Sequence, residues 1–139
     1  MIQKGVPLQT EYKPYTGVKG PCSYQQGRGT LSSTVSIPAG FQSMQNYLAT
    51  KGPLVGTVLV THAMQYFKGG LVYRPTQAEC ASNVGGHAWL IAGLDYEGNN
   101  PYYIIKNSWG TSWGEQGYIR FGAGQNLCES EERSYGAQK

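Results

Sequence analysis

The second half of this chain is divided into short apolar runs separated by turn-forming residues, and that division leaves few architectures open. Residues 54–60 are apolar and β-branched, residues 88–94 form a second such run, 102–106 a third and 117–121 a fourth. Their composition fits the pleated, half-buried surface of a strand. Between the second and third runs, Glu97-Gly98-Asn99-Asn100-Pro101 turns the chain back on itself. A small antiparallel sheet with tight glycine turns is therefore expected. One helix stands out before it: Phe41, Met44, Tyr47 and Leu48 recur at helical spacing, and Gly52-Pro53 ends the run. The expected class is α+β.

Residues 1–40 read differently. Lys13-Pro14-Tyr15-Thr16-Gly17, Lys19-Gly20-Pro21 and Gln26-Gly27-Arg28-Gly29 are clusters of turn formers. They leave an irregular arm with one strand near residues 31–37. One helix, one sheet and a long arm make a thin core for 139 residues, so the arm is expected to pack on something outside this chain. Two parts follow: 1–40, an irregular crossover segment, and 41–139, the β-rich unit. Disorder is excluded by the low charge and the aromatic content, 14% and 12% of residues. The net charge of +3 is spread without a basic run, which argues against nucleic acid as a partner. No apolar stretch approaches the roughly 18 residues of a membrane span. The opening Met1-Ile2-Gln3-Lys4-Gly5-Val6-Pro7 lacks the apolar region of a secretory signal and reads like the middle of a longer sequence.

Two polar residues sit where chemistry could be done. His87 follows paired glycines in Asn83-Val84-Gly85-Gly86-His87-Ala88-Trp89 and opens an apolar strand. A lone histidine is more often structural, but glycines allow close approach of backbone or ligand, and a polar ring at a strand start lies on a sheet rim. Asn107 follows the return strand, so pairing across the turn at 97–101 would bring it beside His87. An Asn oxygen accepting the imidazole N–H would fix the ring's orientation and tautomer. The blander alternative is a turn Asn bonding its own backbone. Trp109 could cover the Asn–His bond, or simply pack in the core.

The segment Asn107-Ser108-Trp109-Gly110-Thr111-Ser112-Trp113-Gly114-Glu115-Gln116-Gly117-Tyr118 resembles the asparagine signature of papain-family (C1) cysteine peptidases, and Gly85-Gly86-His87-Ala88 resembles their histidine signature. The double glycine is most like the cathepsin B branch of a cathepsin B/L-like group. Gly52-Pro53-Leu54-Val55-Gly56 and Tyr66-Phe67-Lys68-Gly69-Gly70-Leu71-Val72-Tyr73 resemble further blocks in family order. The resemblance runs from about Gly5 to Cys128. It implies the β-rich, right-hand C-terminal domain of the papain-like fold with its crossover arm. It also implies roles: His87 as the partner of a cysteine thiolate and the acid for the leaving amine, Asn107 as its orienter, Trp109 as a shield and Trp113 as a lining of the primed side. Gly86 and Ala88 would border the substrate groove, with Thr57 near the S2 pocket. No cofactor or metal is implied. Expected partners are a peptide or protein substrate and a propeptide or cystatin-type inhibitor.

The nucleophile is missing. Papain-type cysteines precede the His and Asn by about 130–150 residues, which lands roughly 43 to 63 positions before residue 1. The family's Gln-x-x-Cys-Gly-Ser-Cys-Trp block is absent. Cys22, in Gly20-Pro21-Cys22-Ser23-Tyr24, resembles a family disulfide cysteine whose partner lies in the missing N-terminal half, and is expected to be unpaired within this chain. Cys80 and Cys128 resemble the family's C-terminal disulfide pair, which implies a lysosomal, vacuolar or secreted setting. The family's Gly-Ile after the last cysteine is replaced by Glu129-Ser130-Glu131-Glu132, leaving Glu131 as the candidate S2 residue. No Cys-rich insertion like the cathepsin B occluding loop precedes the helix, so endopeptidase activity is expected of a complete enzyme, with none from this chain alone. The alternatives are a catalytically inactive binding or structural subunit, and an unrelated Cys–His enzyme using Cys22.

Overall fold

The computed structural model describes residues 5–21, 27 and 29–138. Cys22 lies outside the described residues. The chain divides into two compact units, Met1–Val35 with Ala137–Lys139, and Ser36–Gly136.

In the first unit, Gly5 takes a left-handed conformation (φ 78°), and a Cβ there would meet the Gly29 carbonyl at 2.8 Å. Only glycine allows the neighbouring Val6 N–H to reach that carbonyl at 2.7 Å. A single 3₁₀ turn, Gln9–Glu11, is closed by the Leu8 N–H donating to Glu11 Oε2 at 3.1 Å.

Among the described residues, six strands form one antiparallel sheet: β1 (Ser33–Ile37), β2 (Leu54–Leu59), β3 (Gly86–Glu97), β4 (Asn100–Lys106), β5 (Tyr118–Gly122) and β6 (Ser134–Gln138), in the order β1-β6-β2-β3-β4-β5. The long helix α1 covers Phe41–Thr50. It ends where Gly52 turns left-handed and its N–H, with that of Lys51, caps the Tyr47 carbonyl. Two short helices were not expected from the sequence: α2 (His62–Gln65) and α3 (Gln77–Ala81). Both are set by a threonine whose hydroxyl accepts an N–H of the first turn, Thr61 for α2 and Thr76 for α3. Glu79 completes a capping box on Thr76.

Alternation sorts the side chains of the central strands. On one face Leu54, Val58, Ile91, Tyr103, Ile105, Ile119 and Phe121 are buried with Met44 of α1 and Met64 of α2. The register places Tyr135, Val55, Leu90, Lys106 and Tyr118 in one cross-strand row. That row is exposed, Val55 to 48%. β3 carries a bulge between Ile91 and Gly93.

Candidate active site

His87 is the second residue of β3 and Asn107 the first beyond β4. The Asn107 backbone is tied down by its N–H donating to the Gly117 carbonyl at 2.9 Å, while the Gly117 N–H donates to the Trp113 carbonyl at 2.8 Å. Gly117 can do both because its φ of 90° is open to glycine.

The side chains meet at 2.9 Å, His87 Nε2 to Asn107 Oδ1. The Ser108 backbone N–H donates to the same Oδ1 at 2.7 Å. An atom that accepts from a backbone N–H is the oxygen of the amide, so Nε2 of His87 must be the donor. The imidazole is thereby held in its Nε2–H form. Nδ1, which hydrogen-bonds to none of the described residues, is left as a base or, when protonated, a donor. Asn107 is 9% exposed, so water competes poorly for this bond.

The Trp109 ring lies over the imidazole, centroids 4.9 Å apart and planes 33° apart. Trp113 stands edge-on behind Trp109 at 5.0 Å, and its Nε1–H donates to the Met64 carbonyl of α2 at 3.0 Å. Only 7% of Trp113 is exposed. It therefore backs Trp109 and offers a ligand little surface, unlike the lining role implied by resemblance.

Beside His87 the register sets Thr57 opposite Ala88, Val58 opposite His87 and Leu59 opposite Gly86. These residues and Glu129, Glu132 and Arg133 line a cleft of about 370 Å³. The last three sit on a loop with left-handed backbone at Asn126, Cys128 and Glu129. Among the described residues, two side-chain anchors add to its backbone hydrogen bonds with Gly40 and Thr57. One is the Cys80–Cys128 disulfide, with its sulfurs 2.05 Å apart, joining the loop to α3. The other is Glu131, and here the sequence expectation fails. Glu131 is 4% exposed and turned inward, accepting from Tyr103 Oη at 3.0 Å and from the N–H groups of Gly124 at 2.6 Å and Asn126 at 3.1 Å. Three donors converge on this carboxylate, so it is a loop anchor and not a cleft residue. Burial, then the carboxylate, pushes the Tyr103 phenol well above its ordinary range. The sequence reading missed the cleft residues Glu129, Glu132 and Arg133, since an aperiodic loop gives no signal of which side chains turn outward.

Glu115 braces the turn that carries Trp113. It accepts from Arg120 Nη2 at 2.6 Å and Nε at 3.0 Å, and from the Gly70 N–H at 3.0 Å. The Arg120 hydrogen bonds, chiefly, and then the Gly70 N–H hold the Glu115 carboxyl below the usual range. A depressed carboxyl pKa stabilises the fold above the unfolded-state value, and that contribution is lost as pH falls through the folded-state value. Glu115→Gln is thus expected to lower the urea midpoint at neutral pH. The gap from the native chain should close as pH drops through and below the ordinary carboxylate range. A gap that persists in strong acid would assign the effect to packing instead. Among the described residues no group of three His, Cys, Asp or Glu side chains could hold a metal ion, and no helix is long and apolar enough to cross a membrane.

Comparison with known proteins gives a consistent picture. A family model described as papain family cysteine protease matches residues 1–137. Human cathepsin O is 36% identical over 132 residues, covering 91% of this chain and 39% of that protein. Cathepsin F of Drosophila melanogaster is 34% identical over 142 residues, covering 96% and 23%. Among solved structures, digestive procathepsin L 3 of Tenebrio molitor larval midgut superposes with a TM-score of 0.85 at 25% identity, covering 99% of this chain and 45% of that one. The chain spans less than half the length of each.

Proposed function

The chain belongs to the papain family of cysteine proteases, and we propose that it supplies the histidine–asparagine half of a Cys–His–Asn peptidase site whose nucleophilic cysteine lies outside these 139 residues. The observation that carries this reading is the locked tautomer. Asn107 accepts the hydrogen bond of the Nε2–H, which keeps that proton on Nε2 and leaves Nδ1 for a thiol. A cysteine placed there loses its proton to Nδ1, and the imidazolium holds it as thiolate. The thiolate attacks the scissile carbonyl. His87 then gives the Nδ1 proton to the leaving amine, and water hydrolyses the thioester with the same ring as base. Asn107 keeps the ring aligned through both steps, and Trp109 keeps water from their bond. Thr57, Gly86 and Ala88 border the bound peptide.

The partner in this reading is the Cys-bearing part of the enzyme. The relatives have more than half their length outside the matched region, and the row Tyr135, Val55, Leu90, Lys106 and Tyr118 leaves exposed a stripe that is apolar or aromatic except at Lys106 and that such a half would cover. The solved relative is a proenzyme, so a propeptide along the same cleft belongs to the reading, as does a cystatin-type inhibitor. The Cys80–Cys128 bond suits a lysosomal, vacuolar or secreted enzyme.

The test is peptide turnover. The pure 139-residue chain is expected to hydrolyse no fluorogenic peptide, and to gain turnover when co-refolded with the Cys-bearing segment of its natural precursor. Turnover by the chain alone would refute the division of labour. Stable association without turnover would make it a binding subunit.

A further inference from the structure

The imidazole of His87 has a second aromatic neighbour that its role as a proton carrier does not require. Trp89 lies two residues along β3, so the pleat directs both side chains to the same face. Their rings meet edge-on, centroids 6.5 Å apart and planes at 77°, within the range where aromatic pairs attract. Trp109 lies across the imidazole from a loop, whereas Trp89 approaches from within the sheet. The indole of Trp89 is itself fixed. It stands edge-on to Phe121 at 5.1 Å, is 4% exposed, and faces Gly56, its register partner on β2. Even a methyl group at Gly56 would stand 3.6 Å from Nε1 and 2.7 Å from Ile91 Cδ1.

The contacts extend to a closed circuit. From His87 they run to Trp109, Trp113, Phe67, Tyr73, Phe121 and Trp89, and back to His87, each step between 4.9 and 6.5 Å. The imidazole is one link in a packed ring of rings, in contact with two indoles, Trp109 and Trp89.

Trp89 is also a costly way to fill this space. Its Nε1–H is buried with no hydrogen-bond partner among the described residues, and an unmade hydrogen bond on a buried donor is destabilising. An aliphatic side chain would complete the core without stranding a donor. What it would lack is a flat edge long enough to span from Phe121 to His87.

We propose that Trp89 is a positioning residue for His87: from inside the sheet it fixes, together with Trp109, the imidazole plane against which Asn107 closes. This rests on the peptidase reading for its purpose, but its test does not depend on turnover. The chain has two histidines, His62 and His87, so the ring protons of each can be assigned in a ¹⁵N-labelled sample. The readout is exchange of the His87 Nε2 proton with water, together with the cross-relaxation contact between the His87 and Trp109 rings. Trp89→Phe keeps a ring but shortens its reach, and is expected to speed exchange several-fold. Trp89→Met fills volume without an aromatic edge; exchange at least tenfold faster and loss of the Trp109 contact are expected. The β3 backbone amides should stay protected in both variants. The proposal is overturned if both variants exchange that proton within twofold of the native rate while those amides remain protected. Should Trp89→Met fail to fold, Trp89→Phe decides on the same criterion.

Discussion

In the assembled peptidase proposed above, His87→Ala is expected to lower kcat/KM for peptide hydrolysis by at least about 10⁴-fold, with little change in KM. Two losses combine. Without an imidazole to take its proton, a cysteine of ordinary pKa, about 8.5, is only about 0.3% thiolate at pH 6. The leaving amine also loses its acid, a contribution of about 10²–10⁴-fold. No neighbour can substitute, because Asn107 has no titratable proton and its Oδ1 is already committed to Ser108. The control is His62→Ala. His62 lies exposed on α2, and its removal should leave kcat/KM unchanged. A loss of less than tenfold at His87, with the protein folded, would remove it from the mechanism.

Replacing both Cys80 and Cys128 by Ser is expected to destabilise the chain by about 4 kcal/mol on the loop-entropy account, because the bond closes a loop with a sequence separation of 48. The measurement is the denaturant midpoint of the oxidised chain against the double variant. A change below about 1 kcal/mol would mean that the unfolded chain is already constrained, or that Glu131 alone anchors the loop. The effect should be local as well as global. The released loop carries Glu129, Glu132 and Arg133, so the cleft should lose its far wall before the sheet melts, with amides of residues 126–133 exchanging ahead of those in β3 and β4.

The sheet and the long helix could be read from residue types because their signals are periodic. The Phe41–Thr50 helix has an apolar stripe ending at a glycine, and strands β2 to β5 are apolar runs between turn formers. The short helices were hidden because four or five residues cannot show a period. A trace of α3 was nonetheless present, since Thr76 and Glu79 have the spacing of a capping box. Trp89 was also within reach: two residues from His87 on a strand means the same face. The inward turn of Glu131 was not. Glu129, Glu131 and Glu132 are chemically alike, and which one is buried depends on Tyr103, Gly124 and Asn126 converging from elsewhere. Resemblance named the histidine and asparagine, but the tautomer argument needed the Ser108 N–H, a backbone group that no sequence pattern displays.

The closed aromatic circuit has an optical consequence. The sequence has three tryptophans, at positions 89, 109 and 113, and all three belong to the circuit that contains His87. Light absorbed by an indole of this chain is therefore absorbed within a few ångströms of the imidazole's surroundings. Intrinsic tryptophan emission is then a gauge of one small region of the molecule. Its colour and intensity will follow the packing around His87, and will be blind to rearrangements in the first thirty residues that leave the circuit closed.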